Sequence, residues 1–179
     1  MVDPVSTRRL VYRLGFVALA AGFIFLRLLP FEVSANRVPG PDLPVIFAFA
    51  WVLRRPDYVP ATMIAAVMLV CDILFMRPLG LWAAIVLIGL EFLRARENLS
   101  RDLPFVVEWL MVAATLATMT LAQIAVLGLF VVPQPALQMS LAHLAVTVLS
   151  YPAAVVISRY ALGVTKAAPG AVDALGHKL

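Results

Sequence analysis

Charged side chains lie within and beside long apolar stretches of the 179-residue chain. Asp72 is well inside one stretch, and Arg27 and Arg77 are the cations expected near it. Ionisable groups in such surroundings are costly, so they usually find a partner. Two interpretations are open: an ion pair that fixes helix packing, or a polar funnel that receives another protein or a ligand. The full polar cluster comprises Arg27, Arg37, Asp42, Asp72 and Arg77.

A second group of polar residues recurs at every fourth position near the C-terminus. His143, Thr147 and Tyr151 follow this spacing, which places them on one helical face. Such a stripe is expected to point into a helix bundle, where hydrogen bonds between helices replace those to water. A proton or substrate path is the alternative, but it needs a carboxylate or lysine beside the histidine. Gln123 is the central polar candidate on a neighbouring stretch, so we predict an interhelical contact.

Patterns for catalysis or metal binding are missing from the sequence. It has no Gly-rich phosphate loop, no Ser/His/Asp set and no His-Glu-x-x-His motif. Glu91 and Glu108 have no nucleophile or metal ligand beside them. Cys71 is the one cysteine, and we interpret it as a small buried hydrophobe. We predict a protein that is not an enzyme and has no catalytic residue, cofactor or metal.

The composition indicates that these residues are embedded in a membrane. Hydrophobic residues make up 63% of the chain and charged residues 13%, whereas soluble proteins carry roughly a quarter charged residues. The net charge of +4 follows from membrane orientation. Nucleic acid is excluded as a partner, because a binder needs a basic face with base-reading or stacking groups.

Six apolar stretches are candidates for membrane-spanning helices. The first is long and carries Arg27, so we predict a retained helix rather than a cleaved signal peptide. The second is short for a bilayer core of ~30 Å, and Asp42 with Pro44 is typical of a helix start. The predicted spans are residues 11–29, 43–57, 59–76, 78–93, 103–132 and 137–162, followed by a mobile cytoplasmic tail at 163–179.

Basic residues are unequally divided between the two sides of these spans. Alternate threading places eleven of the 14 lysines and arginines on the side of the N-terminus. Arg27, Arg37 and Arg77 fall on the other side. Short loops rich in Lys and Arg stay cytoplasmic. The predicted fold class is an all-α integral membrane protein, a six-transmembrane-helix bundle with a short second helix and both termini cytoplasmic.

Three segments, taken in order, resemble the bacterial rod shape-determining protein MreD family. They are Pro41-Asp42-Leu43 at the start of the short span, Ala50-Trp51-Val52-Leu53-Arg54-Arg55-Pro56 at its end, and Asp72-Ile73-Leu74 followed by Pro78-Leu79-Gly80-Leu81. Size, six spans and cytosolic termini also match that family over essentially the whole chain. The family-motif positions are Pro41, Asp42, Trp51, Arg54, Arg55, Asp72, Pro78 and Gly80.

This resemblance implies a non-enzymatic subunit of the cell-elongation machinery, which makes peptidoglycan and maintains rod shape, in the bacterial inner membrane. The implied partners are a MreC-like bitopic coiled-coil protein, the RodA glycosyltransferase with its penicillin-binding transpeptidase, and MreB. Membrane lipid is a further expected partner, of the basic groups Arg54-Arg55 and Arg94-x-Arg96, although membrane orientation alone also explains those groups. We expect a partner to dock either in a recess edged by Asp42 and Asp72, where tryptophan at Val45 or Phe47 would block it, or along helix faces of small residues.

An alternative function follows from a second likeness. The MreD family also looks like the substrate-binding S components of energy-coupling-factor vitamin transporters, which are six-helix proteins of similar size. S components present an Ala-x-x-x-Ala face to a transport partner, and Ala61-x-x-x-Ala65 matches that spacing. They also need a pocket for the vitamin. A bound vitamin would therefore favour this alternative over the scaffold.

Overall fold

The computed structural model describes residues 4–29, 40–96 and 104–164, and these residues form α-helices, turns and no strand. The predicted all-α class is confirmed for this part of the chain. A 3₁₀ turn at Pro56–Tyr58 separates the second and third helices. The helices are α1 (Pro4–Leu28), α2 (Leu43–Val52), α3 (Ala61–Leu74), α4 (Leu81–Ala95), α5 (Phe105–Leu129) and α6 (Leu137–Tyr160).

Three of the helices are long and apolar enough to cross a membrane. They are α1 over Ser6–Leu28, α5 and α6, with 23, 25 and 24 residues. A helix of that length rises about 35 Å or more, which exceeds a hydrocarbon core of ~30 Å. The other three, α2, α3 and α4, have 10, 14 and 15 residues. These lengths indicate a membrane protein with a mixture of long and short helices.

The short helix α2 lies at the centre of the bundle. Every residue from Val45 to Leu53 is at most 3% exposed. Helices α6, α4 and α1 pack around it. From α1, the Phe16 ring contacts Trp51 and the Phe23 ring contacts Phe47, with centroids 5.4 and 5.0 Å apart. A helix that is apolar on all sides is expected in such a position.

Helices α4 and α5 approach closely at a glycine. A Cβ placed on Gly89 of α4 would stand 2.7 Å from the sulfur of Met119 and 3.3 Å from the Thr115 methyl, both in α5. Small residues allow this kind of backbone approach between membrane helices. Helices α3 and α4 pack on one another, and α5 packs on α6, so the bundle closes around α2.

The bounds of the helices differ from those of the predicted spans by up to seven residues, and α1 begins at Pro4 rather than at residue 11. Two of the differences have a clear local cause. The span predicted at 43–57 ends as a helix at Val52, because a turn at Leu53 and the 3₁₀ turn beginning at Pro56 follow. The span predicted at 78–93 begins as a helix only at Leu81, because Gly80 adopts a left-handed φ of 82°. The tail predicted at 163–179 lies outside the described residues from 165 onwards.

Candidate functional site

Asp42 links three parts of the fold to the start of α2. Its side chain precedes the helix and is almost fully buried. The carboxylate Oδ2 accepts hydrogen bonds from Trp82 Nε1 at 3.2 Å and from Arg77 Nη1 at 3.4 Å. The Asp42 backbone N–H donates to Thr147 Oγ1 at 3.3 Å. Asp42 thereby connects α2 with α4, with the segment before α4, and with α6. We call Arg27, Asp42, Asp72, Arg77 and Trp82 the Asp42 cluster.

Asp72 caps the next helix instead of pairing with an arginine. It is fully buried near the end of α3, and its Oδ2 accepts hydrogen bonds from the backbone N–H groups of Gly80 at 3.0 Å and Ala83 at 3.2 Å. These groups lie at the N-cap and in the first turn of α4, where backbone N–H groups have no intrahelical partner. The positive end of the helix dipole also favours the carboxylate. This geometry corrects the expected pair of Asp72 with Arg77 or Arg27.

The two described arginines of the cluster share one aromatic ring. The guanidinium carbon of Arg27 lies 4.4 Å from the centroid of Phe75, and that of Arg77 lies 5.5 Å from the same centroid. Cations are attracted to the face of an aromatic ring. Asp42 is the carboxylate that forms an ion pair here, through Arg77. Arg37, the remaining predicted member, lies outside the described residues.

A cavity of about 600 Å³ lies beside the cluster, with walls from α4, α5 and α6. We call it the α4–α6 pocket. Both Arg27 and Arg77 line it, and its described lining includes no carboxylate. The side chains of Gln123, Gln134 and His143 add polar groups, and the indole of Trp82, Pro78, Pro133 and Pro135 add apolar surface. The volume falls in the range of small-ligand sites, and guanidinium groups are suited to carboxylate or phosphate.

The polar stripe on α6 divides between two roles. Thr147 accepts the hydrogen bond from Asp42, and Tyr151 donates from its hydroxyl to Glu108 Oε1 at 2.7 Å, so both make interhelical contacts. His143 instead lines the α4–α6 pocket. Its Nε2 is buried and has no hydrogen-bond partner within the described residues. His143 is thus the stripe residue that lines the pocket and makes no interhelical hydrogen bond through Nε2.

A second buried polar cluster, missed by sequence reasoning, lies at the other end of α2. Glu108 is 1% exposed and accepts hydrogen bonds from Arg54 Nη2 at 3.0 Å and from Tyr151. Arg54 Nη1 also donates to the carbonyl of Ala50 at 2.9 Å. We call Arg54, Glu108 and Tyr151 the Glu108 cluster. The sequence did contain a sign of this cluster, because Arg54 follows an apolar helix directly. If that arginine is buried, it needs a carboxylate partner.

The recess at the start of α2 differs from the expected one. A cavity of about 250 Å³ does lie there, but its described lining comes from α1, the segment 40–44 and Phe75. Val45 and Phe47 are 0% and 3% exposed in the core. Asp42 and Asp72 are buried as well and do not line this recess. A tryptophan at Val45 or Phe47 would therefore disturb the core rather than block a docking site.

The family-motif positions mostly contribute to helix packing. Besides the two clusters, Trp51 Nε1 donates to Ser158 Oγ on α6 at 3.1 Å. This bond joins α2 and α6 at a third point. Asp42, Trp51, Arg54 and Asp72 are buried, Pro41, Arg55 and Gly80 are half-buried, and Pro78 is exposed.

Neither metal ligands nor known relatives assign a function. Among the described residues, no group of three or more His, Cys, Asp and Glu side chains could hold a metal ion. Cys71 is free and buried. No family model, curated protein or solved structure matches the chain.

Proposed function

We propose that the chain is a non-enzymatic scaffold subunit of the bacterial cell-elongation machinery, of the MreD type, in the inner membrane. The observation that carries the proposal is the position of the motif residues. Asp42, Trp51, Arg54 and Asp72 are buried and fasten α2, α3, α4, α5 and α6 to one another. By joining these helices, the motif residues hold the outer helix faces in fixed positions. A scaffold needs such fixed faces for its partners to bind.

Six spans with both termini in the cytoplasm belong to this proposal. The start of α1 lies beside the turn after α2, since Arg9 pairs with Asp57 at 3.3 Å and the rings of Tyr12 and Tyr58 stack at 4.3 Å. The chain therefore returns to its starting side after α2. Basic residues concentrate on that side, and the positive-inside rule makes it cytoplasmic.

The α4–α6 pocket is the proposed docking place for an acidic segment of a partner. Arg27 and Arg77 supply positive charge in a described lining without a carboxylate, and Asp42 behind the pocket pairs with Arg77 but not with Arg27. Beside the pocket, the turn after α5 presents Phe130 at 71% and Val131 at 88% exposure. The arginines would bind acidic side chains, and the exposed Phe130 and Val131 would contact apolar ones. Such a surface fits the juxtamembrane segment of a partner, just outside its transmembrane helix. The partner proposed for it is a MreC-like bitopic coiled-coil protein, which in turn brings RodA with its transpeptidase and MreB.

Purification of the tagged protein from native membranes in mild detergent, with mass spectrometry of the recovered proteins, tests the function. We expect a MreC-like coiled-coil protein or a cell-wall synthase. The variant Arg27→Glu should reduce that recovery severalfold, because it reverses a charge in the pocket. The control Arg159→Glu alters an exposed arginine of α6 outside the pocket and should leave recovery unchanged.

The outcomes separate the function from its site. If the unmodified chain recovers no cell-wall protein, the scaffold function is wrong. If it does, but Arg27→Glu and Arg159→Glu behave alike, the docking place is elsewhere on the bundle.

A vitamin-binding S component is the second candidate function. The observation in its favour is the same pocket, which has about 600 Å³ and several polar side chains in a largely apolar lining. Ala61 and Ala65 are half-buried on α3, where a transport partner would have to contact them. Recovery of ATPase subunits, or release of a vitamin on denaturing the purified protein, would support this candidate and contradict the scaffold.

A further inference from the structure

A groove of about 380 Å³ lies between α4 and α5, away from the α4–α6 pocket. We propose that it binds an anionic phospholipid, with one acyl chain along the groove and the phosphate on Arg96. The site does not depend on the scaffold function. Its lining consists of Ile85, Ile88, Gly89, Phe92 and Arg96 from α4, with Met111, Ala114, Thr115, Thr118, Met119 and Ala122 from α5.

The walls of the groove suit a hydrocarbon chain. The hydroxyl groups of Thr115 and Thr118 donate to the carbonyls of Met111 and Ala114 at 2.8 and 2.9 Å. Because these hydroxyls are satisfied within their own helix, the groove needs no water. Methionine side chains are flexible and polarisable and adapt to a mobile occupant. The groove is therefore apolar along its length and polar only at Arg96.

The length of the groove matches one leaflet of a membrane. From Ile85 to Arg96 the backbone of α4 rises about 16 Å at 1.5 Å per residue. Half of a hydrocarbon core of ~30 Å is about 15 Å. An acyl chain that fills the groove from Ile85 would thus end at the depth of Arg96, where the phosphate lies.

Arg96 is arranged to receive that phosphate. Its guanidinium carbon lies 3.6 Å from the centroid of the Phe92 ring, which holds it at the mouth of the groove. The ion pairs formed within the described residues engage other arginines, including the nearby Arg94. Arg96 Nη1 donates to the carbonyl of Phe92 at 3.5 Å. The remaining N–H groups of this guanidinium have no partner among the described residues and can donate to a phosphate oxygen, a favourable charge-assisted contact.

A phospholipid fits the groove better than a partner's transmembrane helix. A helix about 10 Å across occupies on the order of 1,250 Å³ over a length of about 16 Å, several times the groove volume. The charge and the narrow apolar shape together select an anionic lipid.

Native mass spectrometry of the full-length protein tests the site by titration with phosphatidylglycerol and with phosphatidylethanolamine. The variant Arg96→Gln should lower bound phosphatidylglycerol about fivefold, since one basic residue near the surface contributes ~1 kcal/mol. Binding of phosphatidylethanolamine should fall less, because the ammonium group of that lipid partly neutralises its phosphate. Arg159→Gln is the matched control, because Arg159 also lies against an aromatic ring, at 5.4 Å, but lines no part of the groove.

A second pair of variants tests the groove itself. Thr118→Trp should fill it and lower binding of both lipids, whereas Leu121→Trp, on an exposed part of α5 outside the groove, should not. Equal lipid binding by Arg96→Gln and Arg159→Gln, or by Thr118→Trp and Leu121→Trp, would overturn the proposal. So would loss of a recovered membrane partner in Thr118→Trp with lipid binding unchanged, since a helix would then occupy the groove.

Discussion

Three carboxylates inside the protein are compensated in three different ways. Asp42 accepts from an arginine and an indole, and Glu108 accepts from an arginine and a phenol. Asp72 instead accepts from backbone N–H groups at the start of α4. A buried charge is costly unless it is paired and hydrogen-bonded. Each of these residues should therefore be more sensitive to loss of its partner than any exposed charge.

The Glu108 cluster provides the first prediction. Arg54→Met should lower the free energy of unfolding by about 3–5 kcal/mol, because Glu108 would be left buried without its cation. Arg9→Met is the control, and should cost at most about 1 kcal/mol because Arg9 and Asp57 are 41% and 55% exposed. Unfolding in denaturing detergent, followed by circular dichroism, measures both. Similar costs for the two variants would contradict the burial argument.

The cap formed by Asp72 provides the second prediction. Asp72→Ala should destabilise the protein by about 1–3 kcal/mol, because the N–H groups of Gly80 and Ala83 would lose their acceptor. Asp72→Asn keeps one acceptor oxygen and should cost clearly less. The same unfolding measurement compares them. If asparagine is as damaging as alanine, charge rather than hydrogen bonding determines the effect of Asp72.

At the scale of the elements, the short helix α2 organises the bundle. Its residues are apolar on every side, and both of its ends are held by polar clusters. The rise from Asp42 to Arg54 is about 18 Å if helical throughout, which is well short of a hydrocarbon core. Longer neighbours must therefore enclose it, and α6 and α1 do so.

The burial of α2 provides the third prediction. Val45→Trp should lower the yield of folded protein, because overpacking a filled core costs typically about 1–3 kcal/mol. Leu26→Trp, at an exposed residue beside the recess at the start of α2, should fold normally. Fluorescence-detected gel filtration of both proteins in mild detergent measures the difference. Normal elution of Val45→Trp would mean that the core around α2 is not tightly packed.

At the scale of the whole molecule, the proposed orientation provides the fourth prediction. In a Cys71→Ala background, Gln134→Cys should react with a membrane-impermeant maleimide in intact cells, because it follows α5 on the far side. Asp57→Cys, in the turn after α2, should react only after the membrane is permeabilised. Both residues are exposed in the protein. The opposite labelling would invert the topology, and labelling of both from outside would contradict six spans.

The sequence by itself determined the helical class, indicated the membrane character and placed a short helix after Asp42. The complete burial of that helix was not predicted, because the sequence pattern was interpreted as leaving Val45 and Phe47 accessible beside a recess. Helix ends were less well predicted. Pro56 and the left-handed φ of Gly80 stop or delay helices that hydropathy alone would extend.

The partners of the buried charges were decided only by the tertiary structure. Asp72 and Arg77 are close in sequence, yet the carboxylate accepts from the start of α4 and the guanidinium pairs with Asp42. Glu108 meets Arg54 across the bundle. Such pairings depend on the rotation and depth of each helix relative to the others. Those quantities are set by side-chain packing over entire helix faces, which residue type and spacing along one helix do not specify.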